Sequence, residues 1–188
     1  LDDTVLCLAA FEFCSIFVES PYYKTGLNPY DIRLECGDFD LCYDFTNLES
    51  FMNLPSTREN LHIPSQIPQW TTCDNSMGFK FSKDQMKNFS PYVAELLNAG
   101  VRALIYAGDA DYSCNYMGNR AWTMEMEWDF KDEFNNASDH DWFDGYGLAR
   151  SANGLSFLQV YDAGHMVPSD KPEVALQLIR SFLADDEF

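Results

Sequence analysis

Residues 101–111 read VRALIYAGDAD, and this stretch decides the fold class. Its first seven residues form a short apolar run that ends at a glycine, which predicts a buried strand followed by a turn. A second apolar run, LSFLQVY at 155–161, predicts another strand. Helices are predicted at 83–98, 115–127 and 172–183. Strands that alternate with helices predict an α/β sheet.

The remaining segments have weaker patterns. Residues 1–20 are apolar and predict a helical or irregular segment. Residues 22–50 are rich in Pro, Gly, Asn, Asp and Tyr without helical periodicity, which predicts a long loop. A short helix is predicted to start within 53–59, and 128–153 is predicted to be an acidic, aromatic, loop-rich insertion. The last helix is expected to bury Val174, Leu176, Leu178, Ile179 and Phe182.

The chain is strongly acidic. Its 188 residues include 12 Lys and Arg against 30 Asp and Glu, which gives a formal net charge of −18. This charge repels phosphate backbones and anionic lipid headgroups, so neither nucleic acid nor a membrane is expected as a partner. Hydrophobic residues make up 46% of the chain, too many for a disordered acidic tail, so a globular domain is expected.

The N-terminal apolar stretch, residues 5–18, contains Glu12 and is shorter than the roughly 20 residues that span a bilayer. Asp2 and Asp3 precede it, where a signal peptide has basic residues. We therefore expect neither a membrane span nor a signal peptide. Because the chain starts with Leu1 rather than Met, we expect a mature product or a piece of a longer precursor.

Six cysteines and two glycosylation sequons favour an oxidising compartment. The cysteines are Cys7, Cys14, Cys36, Cys42, Cys73 and Cys114. The sequence has no Cys-x-x-Cys motif and only three histidines, so a structural zinc site is not expected. Cys36 and Cys42 bracket a turn that a disulfide could close. The sequons start at Asn88 and Asn136, and each could equally be a chance match.

Two loops that follow the predicted strands carry the candidate chemistry, because α/β sheets gather functional groups at the carboxyl ends of their strands. The loop at 108–114 contains Asp109 and Asp111, and the loop at 162–168 contains His165. Asp111 precedes His165 by 54 residues, in the Asp-then-His order of an α/β-hydrolase triad. In such a triad the acid orients the imidazole, which takes a proton from the nucleophile.

Each of these features also has a simpler interpretation. Asp109 and Asp111 could only cap the following helix, and His165 could be an ordinary turn residue. A calcium-binding loop starting at Asp109 is not favoured. Cys114 and Arg120 occupy its sixth and twelfth positions, where that loop needs Gly and Glu.

The sequence around these loops resembles the serine carboxypeptidases, in the branch of carboxypeptidase Y. The resemblance rests on YKTGLNPYDIR at 23–33, GDAD at 108–111, CNYMGNRAWT at 114–123 and GHMVP at 164–168. It implies an α/β-hydrolase fold, of which this chain supplies the C-terminal part of the sheet and part of the insertion region. Residues 1–82 would form the insertion or cap-like region with its connecting loops. Residues 83–188 would form the C-terminal part of the hydrolase domain.

The resemblance also implies roles for individual residues. Asp111 would be the triad acid and His165 the general base, with Asp109 in support. Cys114 would line the pocket for the residue before the scissile bond. The pocket for the leaving C-terminal residue would be bordered by Met166, Tyr30 and Tyr43. Plain core packing is the alternative for the aromatic residues and Met166.

In this family the nucleophile lies in a Gly-x-Ser-x-Gly motif upstream of the acid, and this sequence contains no such motif. Residues 154–158 read GLSFL, which lacks the second glycine and follows Asp111. The nucleophile and the oxyanion hole are therefore expected in a missing N-terminal portion. The resemblance also implies an internal Cys36–Cys42 disulfide and a free thiol at Cys114. The other three cysteines, Cys7, Cys14 and Cys73, would pair with the missing portion.

The implied function is a serine carboxypeptidase that releases C-terminal residues from peptide or protein substrates, in a lysosome or vacuole or after secretion. Neither a cofactor nor a metal is expected. The alternative is a non-catalytic binding or chaperone-like module that keeps the hydrolase scaffold without its chemistry. A disulfide-linked partner chain that carries the serine motif would favour the enzyme.

Overall fold

The computed structural model describes residues 3–39, 41–81, 84, 86–186 and 188. They form two compact units, of which the first comprises Leu1–Pro21 and Cys36–Lys87 and the second comprises Tyr22–Glu35 and Asn88–Phe188. The sequence-based division placed residues 22–35 in its first region, whereas here they pack with the second unit. The expected boundary between residues 82 and 83 lies outside the described residues.

The elements have the following bounds. In chain order they are α1 (Asp3–Cys14), a π-helical segment (Ser15–Glu19), α2 (Ser20–Tyr23), β1 (Leu27–Asn28), β2 (Asp31–Glu35), α3 (Thr46–Met52), α4 (Pro55–Asn60), α5 (Asn75–Phe81), α6 (Ser90–Asn98), β3 (Ala103–Gly108), α7 (Tyr116–Glu125), α8 (Lys131–Asn136), β4 (His140–Trp142), β5 (Gly147–Ala152), β6 (Leu155–Val160), α9 (Val167–Asp170) and α10 (Pro172–Ala184).

The N-terminal apolar segment is longer than the sequence suggested. The helical stretch Val5–Tyr23 has 19 residues and is long and apolar enough, by length and composition alone, to cross a membrane. The expectation that this segment is too short is therefore wrong, because the helix continues through the π-helical segment into α2. A signal sequence or a core helix of a soluble protein would satisfy the same criterion.

The second unit is built on a four-stranded sheet of order β3-β6-β5-β4. The two predicted strands are confirmed as β3 and β6, which pair in parallel with Ala103 opposite Leu155 and Gly108 opposite Val160. The other pairs are antiparallel. Residues of β6 alternate between two clusters of buried side chains, with Leu155 and Phe157 in one and Leu158 and Val160 in the other. The sheet therefore buries both of its faces.

Two regions that were predicted to be loops contain regular structure. Residues 128–153 hold α8, β4 and β5, and residues 22–50 hold β1, β2 and most of α3. Strand β5 is rich in small and polar residues, so it lacks the apolar pattern that marks a strand. Asn153 and Gly154 have positive φ angles of 48° and 88° and join β5 to β6, which is the Asn-Gly hairpin signal.

Three further expectations are settled by the elements and the disulfide. The helix predicted at 83–98 begins only at Ser90, with Pro91 in its first turn, and residues 83 and 85 lie outside the described ones. In α10, Leu176 and Ile179 are exposed rather than buried. The predicted Cys36–Cys42 disulfide is confirmed. The other four cysteines are free thiols in the described part of the chain, and their pairing elsewhere stays a prediction.

A charged cluster ties the β4–β5 hairpin to α7 and α8. Asp139 accepts hydrogen bonds from Arg120 Nη2 at 2.6 Å and from Arg150 Nε at 2.7 Å. Arg150 Nη1 also donates to the carbonyl of Asn135 at 2.8 Å. Partial burial raises the pKa of the Asp139 carboxyl, but the two arginines outweigh it and hold that pKa below its ordinary value of 3.8.

Replacing Asp139 with Asn in the complete protein is expected to lower the free energy of unfolding by about 2 kcal/mol at pH 6. A carboxyl whose pKa is lowered by folding stabilises above its unfolded pKa of about 3.9, and this stabilisation is lost as the pH falls through the folded value. Urea unfolding should therefore show that the substitution lowers the free energy of unfolding less at pH 2.5 than at pH 6. The control Asp185→Asn, at a carboxylate 74% exposed, should cost less than about 1 kcal/mol. An equal loss at both pH values would contradict this account.

Candidate active site

The two loops that carry the candidate residues lie side by side. Because β3 and β6 are parallel, both loops leave the same edge of the sheet. The amide of Asp109 donates to the carbonyl of Val160, and that of Ala110 donates to the carbonyl of Ala163, both at 2.9 Å. A Cβ atom at Gly108 would overlap the carbonyl oxygens of Ala163 and Gly164, so the close approach of the two loops requires glycine there.

A β-hairpin from far upstream binds both loops. This hairpin, residues 27–35, is formed by β1 and β2 and the turn between them. The amide of His165 donates to the carbonyl of Tyr30 at 2.7 Å, and the amide of Ile32 donates to the carbonyl of Ala110 at 2.9 Å. The carbonyl of Pro29 accepts from the amides that follow Asp111, at 3.1 and 2.9 Å. The hairpin therefore fixes each loop relative to the other.

Asp111 and His165 meet across the two loops. The distance from His165 Nδ1 to Asp111 Oδ2 is 2.8 Å, and the other carboxylate oxygen accepts from the amide of Cys114 at 3.1 Å. The Asp111 side chain is only 3% exposed, whereas the imidazole is 36% exposed. Because Nδ1 faces the buried carboxylate, Nε2 lies on the side of the ring that points away from Asp111. This arrangement can orient an imidazole as a general base.

The supporting residue Asp109 lies differently. It is half-buried, and its amide is bound to Val160. Its charge acts on Arg33 of the hairpin, where Asp31, Asp170 and Asp109 together raise the pKa of the guanidinium. Asp111, not Asp109, provides the carboxylate at hydrogen-bonding distance from the imidazole.

Cys114 lies beside the pair at the start of α7. Its Sγ, a carboxylate oxygen of Asp111 and a ring nitrogen of His165 all lie within 4.8 Å of one another. Partial shielding from water and the Asp111 charge raise the pKa of the Cys114 thiol. A metal bound at this place would have to displace the proton of this thiol. The expectation of no metal and no cofactor nevertheless stays a prediction.

The remaining predicted residues fall in two places. The Tyr30 ring lies 5.3 Å from the imidazole, centroid to centroid, and Met166 directly follows His165 in an exposed position. Tyr43 belongs to the first unit, where it lines a cavity of about 210 Å³ together with Phe39, Phe45 and Cys73. The second unit thus gathers Asp111, His165, Cys114, Tyr30 and Met166. Tyr43 is a residue of the first unit, and its place in the substrate pocket stays a prediction.

Sequence reasoning missed three charged residues near the histidine. Asp31 is buried, and Arg33 holds it with Nε at 2.8 Å and Nη2 at 2.5 Å. The hydrogen bond from Arg33 lowers the pKa of the Asp31 carboxyl, although burial opposes this. Asp170 accepts from the amide of Gly164 at 2.7 Å. Asp31 and Arg33 are two residues apart, so on a strand they lie on the same face, and their opposite charges could have indicated an ion pair.

The second unit contains a cavity of about 410 Å³ away from the candidate residues. Arg102, Leu155 and Phe182 are among its lining residues. Arg102 and Leu155 stand at the starts of β3 and β6, about 16 to 20 Å along the strands from the ends that carry Asp111 and His165. This cavity is therefore not part of the candidate site.

Comparison with known proteins supports the resemblance seen in the sequence. The family model described as serine carboxypeptidase matches residues 5–185. The chain is 39% identical to a vacuolar serine-type carboxypeptidase of Saccharomyces cerevisiae, over 95% of this chain and 37% of that protein. It is 41% identical to carboxypeptidase Y of Schizosaccharomyces pombe, over 96% of this chain and 18% of that protein.

A solved structure agrees with the sequence relatives. Kex1, a prohormone-processing carboxypeptidase from Saccharomyces cerevisiae, aligns with a TM-score of 0.71 and 27% identity, over 85% of this chain and 36% of that one. The chain therefore spans less than two fifths of the length of these relatives. Its α/β fold is confirmed, and the chain belongs to the serine carboxypeptidase family.

Proposed function

We propose that this chain supplies the acid and the base of a serine carboxypeptidase that releases C-terminal residues from peptides. The observation that carries the proposal is the 2.8 Å contact between a buried Asp111 carboxylate and Nδ1 of a partly exposed His165. A carboxylate in this position holds the tautomer in which Nε2 accepts a proton.

In the proposed reaction, a serine hydroxyl gives its proton to Nε2 of His165 while its oxygen bonds to the carbonyl carbon of the last peptide bond. The tetrahedral intermediate collapses, and the imidazolium gives the proton to the departing amine of the C-terminal amino acid. Water then attacks the acyl-enzyme in the same way and restores the serine. Asp111 accepts the hydrogen bond from Nδ1–H and stabilises the imidazolium.

The substrate would lie against residues around the pair. Cys114, within 4.8 Å of the reacting groups, suits the pocket for the residue before the scissile bond. The Tyr30 ring lies 5.3 Å from the imidazole and Met166 directly follows His165 in the chain, so both suit the pocket of the leaving residue. Tyr43 is proposed for that pocket from the family resemblance alone.

The nucleophile is proposed to lie in an N-terminal portion of the enzyme that is not among these 188 residues. Ser156, in the GLSFL segment, is a poor candidate because it lies within β6 and its hydroxyl oxygen accepts from the Ser151 hydroxyl at 2.9 Å. In the described part of the chain the outer edge of β3 pairs with no strand. Strands of the further portion would complete the sheet at that edge.

The compartment is proposed to be a vacuole, a lysosome or the cell exterior. One relative is described as vacuolar, and the Cys36–Cys42 disulfide suits an oxidising route. We further propose that residues 1–82 are a cap-like region with its connecting loops, of which residues 22–35 pack with the second unit, and that residues 83–188 are part of the hydrolase domain.

Labelling with a fluorophosphonate probe tests the proposal, because such a probe reacts only with an activated serine. The complete protein is expected to label stoichiometrically, and the 188-residue chain alone is expected to label at no position and to cleave no peptide. Stoichiometric labelling of the chain alone would contradict the proposed location of the nucleophile. A complete protein that neither labels nor cleaves peptides would favour the non-catalytic module.

A further inference from the structure

We propose that Asp31, Arg33 and Asp170 form a positioning cluster that holds the backbone of His165 so that its imidazole meets Asp111. The inference rests on the proposed function, because it assigns a kinetic role to residues that touch neither substrate nor the reacting atoms.

The first arm of the cluster makes the hairpin rigid. Arg33 binds both oxygens of Asp31 through Nε and Nη2, and the amide of Arg33 donates to Asp31 Oδ1 at 3.0 Å. A planar guanidinium that grips a carboxylate with two hydrogen bonds fixes orientation as well as distance. Since Asp31 directly follows Tyr30, this grip fixes the Tyr30 carbonyl, which accepts from the amide of His165 at 2.7 Å.

The second arm reaches the preceding amide. Asp170 Oδ2 accepts from the amide of Gly164 at 2.7 Å and lies 3.6 Å from Arg33 Nη2. A Cβ atom at Gly164 would come within 2.5 Å of the Tyr30 carbonyl oxygen and 2.9 Å of Asp31 Cβ, so the loop is pressed against the hairpin. Two successive amides, those of Gly164 and His165, are thus held by acceptors that Arg33 ties together.

When the backbone of His165 is held in this way, the position of its imidazole ring is restricted. Catalytic geometry is sensitive on this scale, because a displacement of about 1 Å costs on the order of 10²-fold in rate. Loosening the cluster should therefore lower kcat and leave KM nearly the same, because none of these three residues is among those proposed to contact the substrate.

The test uses Asp170→Ala in the complete protein, with Asp185→Ala as the matched control. Asp185 also pairs with an arginine, at 2.6 Å from Arg102 Nη1, but at the opposite ends of the strands. Asp170→Ala is expected to lower kcat about 10-fold or more and to change KM less than about 2-fold. Asp170→Asn should restore most of the activity, because its amide oxygen can still accept from Gly164. The control should match the unmodified protein.

Hydrogen exchange resolved to single amides gives a readout that needs no catalysis. Asp170→Ala should accelerate exchange at both Gly164 and His165, and Asp185→Ala should leave both unchanged. Unchanged exchange at the two amides, or an unchanged kcat, would overturn the proposal. Arg33→Gln should act in the same direction, and the double variant Arg33→Gln/Asp31→Asn avoids an unpaired buried carboxylate if the single variant does not fold. If the protein fails to label with the fluorophosphonate but exchange responds as expected, the proposed function fails and the holding of the loop stands.

Discussion

Replacing His165 with Gln in the complete protein is expected to lower kcat by on the order of 10⁴ or more and to leave KM nearly unchanged. Gln has no group that can take the serine proton at neutral or mildly acidic pH, so the nucleophile would stay a weakly reactive hydroxyl. The His165 side chain is partly exposed, and its backbone amide bond to Tyr30 does not depend on the side chain. The fold should therefore survive the change.

Steady-state kinetics on a peptide with a free C-terminus, together with a thermal melt, measures the His165 effect. His140→Gln is the matched control, because His140 is exposed in β4 and its ring nitrogen lies 3.5 Å from a backbone carbonyl, that of Ser138. The control should keep both kcat and the melting temperature. Turnover close to that of the unmodified protein in His165→Gln would remove this residue from the mechanism.

Replacing Asp111 with Asn is expected to lower kcat by about 10⁴-fold, because the amide can no longer hold Nδ1–H of the imidazole as a charged acceptor does. The amide would either donate to Nδ1, which places the proton on Nε2, or accept without stabilising the imidazolium. In addition, the Asp111 side chain is only 3% exposed, so the interaction lost in the variant lies in a buried site where electrostatic interactions are strong.

Asp109→Asn is the matched comparison for Asp111→Asn. Asp109 is also an aspartate at the carboxyl end of β3, and its side chain is half-buried and acts on Arg33 rather than on the imidazole. The Asp109 variant should lose about 10-fold or less. A larger loss in Asp109→Asn than in Asp111→Asn would show that the acid has been assigned to the wrong aspartate.

Sequence patterns predicted the parts of the sheet that are most apolar. Strands β3 and β6 are short apolar runs, so their composition is nearly sufficient to mark them. Most residues of β6 are buried, whereas in β3 only Ala107 and Gly108 are. Strand β5 has the sequence GLARSA. One of its buried residues is Arg150, whose guanidinium forms an ion pair with Asp139. A buried arginine makes the strand look polar, and only its partner in space explains why it can be there.

The pair of Asp111 and His165 was predicted because side-chain identity and chain order are visible in a sequence. The hairpin was not, because it holds the loops through backbone atoms such as the carbonyls of Pro29 and Tyr30. Any residue has a carbonyl, so such contacts leave no mark on composition. Asp170 escaped notice for a related reason, since its partner is the amide of Gly164.

The hairpin also bears on how the protein folds. Its hydrogen bonds join residue 30 to residue 165 and residue 32 to residue 110, and such long loops close late because their entropy cost must be met before the contact forms. The acid and the base can each be synthesised and packed near its own strand well before the hairpin docks. A chain that is still collapsing is therefore expected to lack an aligned pair, and the proposed peptidase would stay inert until its own folding is nearly complete.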